Sequence, residues 1–80
     1  MIPVKFKGHN VVFAENQPEY NPLPAHVDRE NGIVVTCWQL DDEEKLRFLE
    51  DGKIYLQQMT FNQPLQPILP TIDNPFDLLL

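Results

Sequence analysis

Residues 33–52, IVVTCWQLDDEEKLRFLEDG, carry the two strongest secondary-structure signals of the chain. Their first part, IVVTCWQL, is β-branched and aromatic, and it is apolar on both faces of an extended chain. That composition is typical of a central strand covered on both sides. The stretch therefore predicts a strand over residues 33–40, followed directly by a helix.

The helix is predicted from its two ends. Asp41 is a favourable N-cap, and Glu44 stands three residues later as its capping-box partner. Acidic residues fill the first turn, where the helix dipole favours negative charge. Gly52 supplies the left-handed residue that commonly follows a helix. We therefore predict a helix over residues 42–50.

A second strand is expected after this helix, over residues 53–61 (KIYLQQMTF). Ile54 and Leu56 share one parity, and Met59 and Phe61 the other, so the strand is either bulged or covered on both sides. The two strands and the helix would form a β-α-β unit. Its 12-residue crossover is near the minimum for a parallel connection, and an antiparallel return is the alternative.

The N-terminal part predicts a β-hairpin. Val4 and Phe6 alternate with lysines, Gly8-His9-Asn10 interrupts the pattern, and residues 11–14 resume it. A proline-bearing loop over residues 16–32 is expected next. In the alternative, Asn31-Gly32 forms the turn of a second hairpin, and residues 25–28 form the first arm of that hairpin.

These elements predict a small single α+β domain over residues 1–72. It would hold the N-terminal β-hairpin, the β-α-β unit with one short helix, and an extended proline-rich C-terminal arm, followed by a tail over residues 73–80. A chain of 80 residues buries only about 60 to 65% of the surface that it exposes when unfolded. Because such a core is marginal, we expect the fold to be stabilised by contact with a partner subunit, for example in a homo-oligomer.

Charge and hydropathy argue against several classes of partner and against insertion into a membrane. The net charge is −6, with 12 acidic and 6 basic residues, which argues against binding to nucleic acid or anionic lipid. The longest apolar run is far shorter than the ~20 residues of a membrane span. The first residues, MIPVKFKGHN, lack the apolar core of a signal peptide. The sequence therefore predicts a cytoplasmic protein.

Residues suited to catalysis or metal binding are few. The single cysteine, Cys37, has only His9 and His26 as candidate bases and lies within a predicted strand, where a small buried side chain is the usual role. The carboxylates around Asp41 are explained by helix capping. With three glycines there is no phosphate-binding loop. We expect no enzymatic activity, no cofactor and no metal.

The C-terminal third offers candidate binding residues. Pro64, Pro67 and Pro70 are three residues apart, the period of a polyproline II ligand. The alternative is an arm packed on the domain itself, and we favour it because Leu65, Ile68 and Leu69 fill the gaps between the prolines.

The tail holds Asn74-Pro75-Phe76 and three final leucines, which would dock on the domain, on a second copy or on another protein. Trp38 and Tyr55 are expected to pack in the core, and an aromatic surface for a ligand or partner is the alternative. The candidate partner-binding residues are Trp38, Tyr55, Pro64, Leu65, Pro67, Ile68, Leu69, Phe76, Leu78 and Leu79.

Several stretches together resemble a group of small proteins from bacteriophages and prophages of bacteria. The pattern is QPEY (17–20), PLPA (22–25), CWQL (37–40), Glu44, GKI (52–54), TF (60–61) and PLQP (64–67). The resemblance covers roughly residues 11–70 and implies a phage setting, with no defined activity.

Three functions follow as hypotheses. The first is a non-enzymatic phage-type accessory protein that binds a host or phage protein, for example to inhibit a host defence factor. The second is a structural or oligomeric phage component with a docked or exchanged tail. The third is nucleotide sequestration at a subunit interface, with Trp38 or Tyr55 stacking on the base.

Overall fold

The computed structural model describes residues 1–19 and 21–76 of the chain. Within these residues lie five short strands and one helix, in the order β1 (Ile2–Val4), β2 (Val11–Phe13), β3 (Leu23–Asp28), β4 (Ile33–Val35), β5 (Cys37–Gln39) and α1 (Asp42–Asp51). The strands form two antiparallel sheets, β2-β3-β4 and β1-β5. The predicted α+β class is confirmed.

Strand β3 is the centre of the larger sheet, and its two halves have different partners. Residues 23–25 pair with β2, and residues 26–28 pair with β4. Pro24 lies opposite Val12 in the half whose only described neighbour is β2, so its missing N–H interrupts no second ladder. The expected long loop over residues 16–32 is therefore wrong in its second half.

The alternative hairpin is the one observed. Strands β3 and β4 are joined by residues 29–32, with Asp28 opposite Ile33. Both carboxylate oxygens of Asp28 accept hydrogen bonds from Asn31, one from its backbone at 3.1 Å and one from its side chain at 2.8 Å. Gly32 has a φ of 67°, which glycine adopts at little cost.

The predicted N-terminal hairpin is wrong, because its two arms belong to different sheets. Strand β1 pairs with β5, with Val4 opposite Cys37, and β2 pairs with β3. Between the arms, His9 N–H donates to Phe6 O at 3.2 Å, and Gly8 takes a φ of 103°. The turn at Gly8 was visible in the sequence, but it redirects the chain rather than folding it back on itself.

The single strand predicted over residues 33–40 is divided at Thr36. Its first part is β4 in the three-stranded sheet, and its second part is β5 in the two-stranded sheet. The stretch therefore links the two sheets, but Ile33, Val34 and Trp38 are exposed, and the expected cover on both sides of the strand is wrong. The strand propensity of the stretch is confirmed, but its continuity is not.

The β-α-β unit is not formed within the described residues, because residues 53–60 have no strand assignment. A turn follows, in which Phe61 and Asn62 have φ values of 54° and 63° and Gln63 N–H donates to Thr60 O at 3.0 Å. The predicted strand over residues 53–61 is wrong within residues 1–19 and 21–76, since no strand of that part of the chain pairs with it.

The buried core is small. Among the described residues only Pro24 and Ala25 are buried. The accessible surface is 7478 Å², whereas a compact monomer of 9.3 kDa exposes about 5,000 Å². The Cα radius of gyration is 14.3 Å, against about 12 Å for a compact chain of this length. Much of the apolar content therefore lies outside the two sheets.

Candidate functional site

Helix α1 is fixed at both ends by its own residues. Asp41 Oδ1 accepts a hydrogen bond from Glu44 N–H at 2.8 Å, and Asp41 N–H donates to Glu44 Oε1 at 2.9 Å. At the other end Gly52 has a φ of 63°, and its N–H donates to Phe48 O at 2.7 Å. Both predicted caps are confirmed. They matter because the helix has no buried residue to hold it in place.

The two apolar sides of α1 have different surroundings. Leu46 and Leu49 are 63% and 79% exposed, whereas Phe48 is half-buried. Phe48 therefore faces the rest of the chain, and the two leucines face solvent.

Two open hollows flank Phe48 and Ile54. The larger has a volume of about 410 Å³, and the end of the proline-spaced segment closes one side of it; it is lined by Phe48, Gly52, Ile54, Pro70, Thr71 and Ile72. The smaller has a volume of about 290 Å³ and includes Met1, Leu40 and Tyr55 in its lining.

Beside the hollows, the first turn of α1 forms an acidic edge of Asp42, Glu43 and Glu44. The α-amino group of Met1 lies 2.6 Å from Glu44 Oε1. This contact, together with the hydrogen bond from Asp41 N–H, holds the pKa of Glu44 below its ordinary value. The edge is solvent-exposed, so its ion pairs add little to stability.

Residues 54–72, which we call the uncharged segment, contain no Asp, Glu, Lys, Arg or His. Most of their apolar side chains lie in solvent. Leu69 and Ile72 are 90% and 91% exposed, and Leu56, Met59, Phe61 and Leu65 are also exposed. A long neutral and apolar surface on a chain of net charge −6 is the main chemical feature of this molecule.

The structure exposes most of the predicted partner-binding residues and gathers several of them in the uncharged segment. The exposed ones are Trp38, Tyr55, Pro64, Leu65, Pro67, Ile68 and Leu69. Leu78 and Leu79 lie outside the described residues. The expectation that Leu65, Ile68 and Leu69 pack on the domain is wrong within the described chain, because all three are exposed.

Trp38 and Tyr55 belong to different surroundings. Trp38 lies in β5 opposite Pro3, is 47% exposed, and donates through Nε1 to Thr36 Oγ1 at 2.9 Å. Tyr55 is 87% exposed and lines the smaller hollow, which Trp38 does not reach. The prediction that both side chains pack in the core is wrong, because both are exposed.

Among the described residues of the tail, 73–76, Phe76 contacts the domain. Its ring lies 5.0 Å from the ring of His26, edge to face, and 5.9 Å from the ring of Phe6. Asn74 Oδ1 accepts a hydrogen bond from Phe76 N–H at 2.9 Å and fixes the turn that presents the ring. Gly8 lies beneath the ring, where a β-carbon would come within 3.1 Å of it. The Phe76 ring therefore packs against its own chain.

Sequence reasoning missed the receiving side of this contact. A glycine inside a β-prone stretch often marks a close approach of another group, and Gly8 carries that signal. The two histidines beside it hold the local backbone, since His9 Nδ1 lies 2.7 Å from Phe6 O and His26 Nδ1 lies 2.7 Å from Gly8 O. Both imidazoles are thus engaged in hydrogen bonds.

The remaining chemistry-bearing groups stand apart from one another. Cys37 is half-buried in β5. Across residues 1–19 and 21–76, no three His, Cys, Asp or Glu side chains come together in a way that could hold a metal ion. In the same part of the chain, no helix is both long and apolar enough to cross a bilayer.

Comparisons with known proteins leave the surface to be interpreted from its own chemistry. The chain matches no family model, and neither the curated proteins nor the solved structures gave a match.

Proposed function

We propose that this chain is a non-enzymatic accessory protein of phage type that acts by binding another protein. The binding surface is the outer face of α1 together with the proline-spaced part of the uncharged segment. The observation that carries the proposal is the exposure of Leu65, Leu69 and Ile72, which have no cover in the described chain.

The energetic support is the free energy of burying these side chains. A leucine or isoleucine removed from water contributes roughly 1.5 to 3 kcal/mol. Pro64, Pro67 and Pro70 restrict the backbone of the same segment, so less conformational entropy is lost when a partner orders it. An apolar surface on a stiff backbone is typical of recognition by protein partners.

The partner class follows from the charge beside this surface. The acidic first turn of α1 lies next to the exposed Leu46 and Leu49 face. A host or phage protein with an apolar groove and a basic rim is complementary to this combination. Inhibition of a host defence factor is the specific form of activity that we propose for it.

The test is capture from a bacterial host lysate by the full-length chain carrying a C-terminal tag. The double variant Leu65→Glu/Leu69→Glu places charge in the middle of the proposed surface and should lose the captured protein. The matched control, Gln17→Glu/Asn21→Glu, adds the same charge at two exposed positions outside this surface and should retain it. Equal capture by both variants, or no specific protein with the unmodified chain, would contradict the proposal.

A further inference from the structure

We propose that residues 54–60 pair, as an antiparallel strand, with the same residues of a second copy of this chain. The inference goes beyond the proposed function, because it assigns a second partner to residues 54–60, which lie outside the surface proposed above. The sequence over residues 53–61 has strand character, yet the described chain contains no strand there. A neighbour supplied by a second copy resolves this difference.

The backbone of this stretch is unpaired within the described chain. The N–H and C=O groups of residues 54–59 make no intrachain hydrogen bond there, and the first backbone partner is Thr60 O in the following turn. A row of free backbone groups on a β-prone stretch is a template for another strand.

The side chains suit a two-fold pairing of like with like. A two-fold axis at Gln57 places Tyr55 opposite Met59 of the second copy, an aromatic–thioether contact. It also places Gln57 opposite itself, and an amide can both donate to and accept from its own copy. On the opposite face of the strand, the same register places Ile54 opposite Thr60 and Leu56 opposite Gln58, so no charged side chain enters either face.

Charge explains why the occupant is a second copy. Two chains that each carry a net charge of −6 repel one another, and a contact made by neutral residues adds the least further repulsion. In a two-fold interface the residues next to the axis meet their own copies, so a charge at that position would face a like charge. The uncharged segment meets this requirement, whereas the acidic edge of α1 does not.

The available area is also sufficient. The chain exposes 7478 Å², roughly 2,500 Å² more than a compact monomer of its mass. A stable dimer needs about 800 Å² from each partner. Pairing of the strands, followed by contact between the neighbouring apolar side chains, can cover that area.

The test is sedimentation of the full-length chain across micromolar to millimolar concentrations, with Gln57→Pro and Gln58→Pro as variants. Adjacent residues of a strand point their N–H groups to opposite sides, so one of the two prolines must remove a donor that faces the second copy. Gln57→Ala and Gln58→Ala are the matched controls, because they remove the side chain and keep the N–H.

We expect the unmodified chain to dimerise, at least one proline variant to weaken the dimer by about tenfold or more, and the alanine variants to change it by less than about threefold. NMR signals of Asn10 and Val27 report that the sheets stay folded. A monomeric unmodified chain overturns the inference, as do proline variants that dimerise like the alanine controls. A monomer that still captures a host protein through Leu65 and Leu69 defeats this inference alone, whereas a dimer that captures none defeats the proposed function alone.

Discussion

The side-chain amide of Asn10 pairs with the backbone of Val27 as an additional strand residue would. Val27 N–H donates to Asn10 Oδ1 at 2.8 Å, and Asn10 Nδ2 donates to Val27 O at 3.0 Å. The backbone N–H of Asn10 also donates to Ala25 O at 2.9 Å. One residue thus extends the contact between β2 and β3 past the last strand pair and fixes the point where the loop after β1 joins the larger sheet.

Asn10→Ala should therefore lower the free energy of unfolding by about 1 to 2 kcal/mol, because two hydrogen bonds are lost from a partly solvated site. Asn10→Asp is the matched control, since it keeps an acceptor for Val27 N–H and loses the donor to Val27 O. It should be destabilising as well, by repulsion between the carboxylate and the carbonyl. Urea denaturation measures the stability of both variants. An alanine variant as stable as the parent would contradict a stabilising role for the hydrogen bonds between Asn10 and Val27.

Gly8 and Phe76 should be energetically coupled. A β-carbon at Gly8 would lie 3.1 Å from the Phe76 ring, and the residue has a φ of 103° that L-amino acids rarely adopt. Gly8→Ala should therefore cost the backbone strain, about 1 kcal/mol, plus displacement of the ring. In a Phe76→Ala background only the strain remains.

A double-mutant cycle by urea denaturation separates the two costs. We expect Gly8→Ala to be less destabilising in the Phe76→Ala background, by about 0.5 to 1 kcal/mol. Additive effects would mean that the ring does not rest on Gly8 in solution. The cycle also tests cis docking of the tail, because exchange between copies would make the coupling depend on concentration.

Local interactions in this fold could be predicted from the sequence, whereas non-local ones could not. The caps of α1 are made by Asp41, Glu44 and Gly52, all within or next to the helix, so a short window of sequence was enough to predict them. The pairing of β1 with β5 joins Val4 to Cys37, and nothing in either short strand specifies that partner. Strand propensity was therefore visible, but strand pairing was not.

The candidate surface shows the same division. The neutral character of residues 54–72 is a property of composition and can be seen in the sequence. Exposure of Leu65 and Leu69 depends on how little of the chain folds back over them, which composition does not determine. The contact between Phe76 and His26 joins two distant stretches, and only Gly8 gave a local sign of it.

Acid should destabilise the β3–β4 turn and the start of α1. Hydrogen bonds from the Asn31 side chain and backbone lower the pKa of Asp28, and the Met1 α-amino group and Asp41 N–H lower that of Glu44. Both folded pKa values lie below the unfolded ones. The stabilisation that each carboxylate gives to the folded state is therefore present above its ordinary pKa, and it is lost as the pH falls through the lowered pKa. We expect denaturation midpoints to fall below about pH 4.

The Asp28→Asn variant provides the control for this pH dependence. It should be less stable than the parent at neutral pH, because a neutral amide accepts more weakly than the carboxylate. Below the lowered pKa the parent carboxyl is protonated too, so the two proteins should converge in acid. A difference in denaturation midpoint that stays constant across the acid range would mean that Asp28→Asn destabilises through side-chain geometry rather than through loss of charge.

Helix α1 should depend on its caps more than most helices of its length. Its ten residues are too few to be stable by propensity alone, and none of them is buried. Asp41→Ala should lower the stability of the helix by about 1 kcal/mol, and Asp41→Asn should retain most of it because asparagine is also a good N-cap. Far-UV circular dichroism and amide exchange within α1 measure the change, and equal losses in both variants would contradict capping by the side chain.

The orientation of α1 gives a prediction that hydrophobicity alone would reverse. Leu46 and Leu49 form the more regular apolar pair, but both are exposed, whereas Phe48 is half-buried between the two hollows. Leu49→Ala should therefore leave the stability of the monomer within about 0.5 kcal/mol of the parent, while Phe48→Ala should cost about 1 to 2 kcal/mol, less than the full burial of a phenylalanine. Denaturation at low protein concentration, where self-association is absent, is the measurement. A larger loss for Leu49→Ala than for Phe48→Ala would mean that α1 turns its leucine face to the domain, which would remove that face from the proposed binding surface.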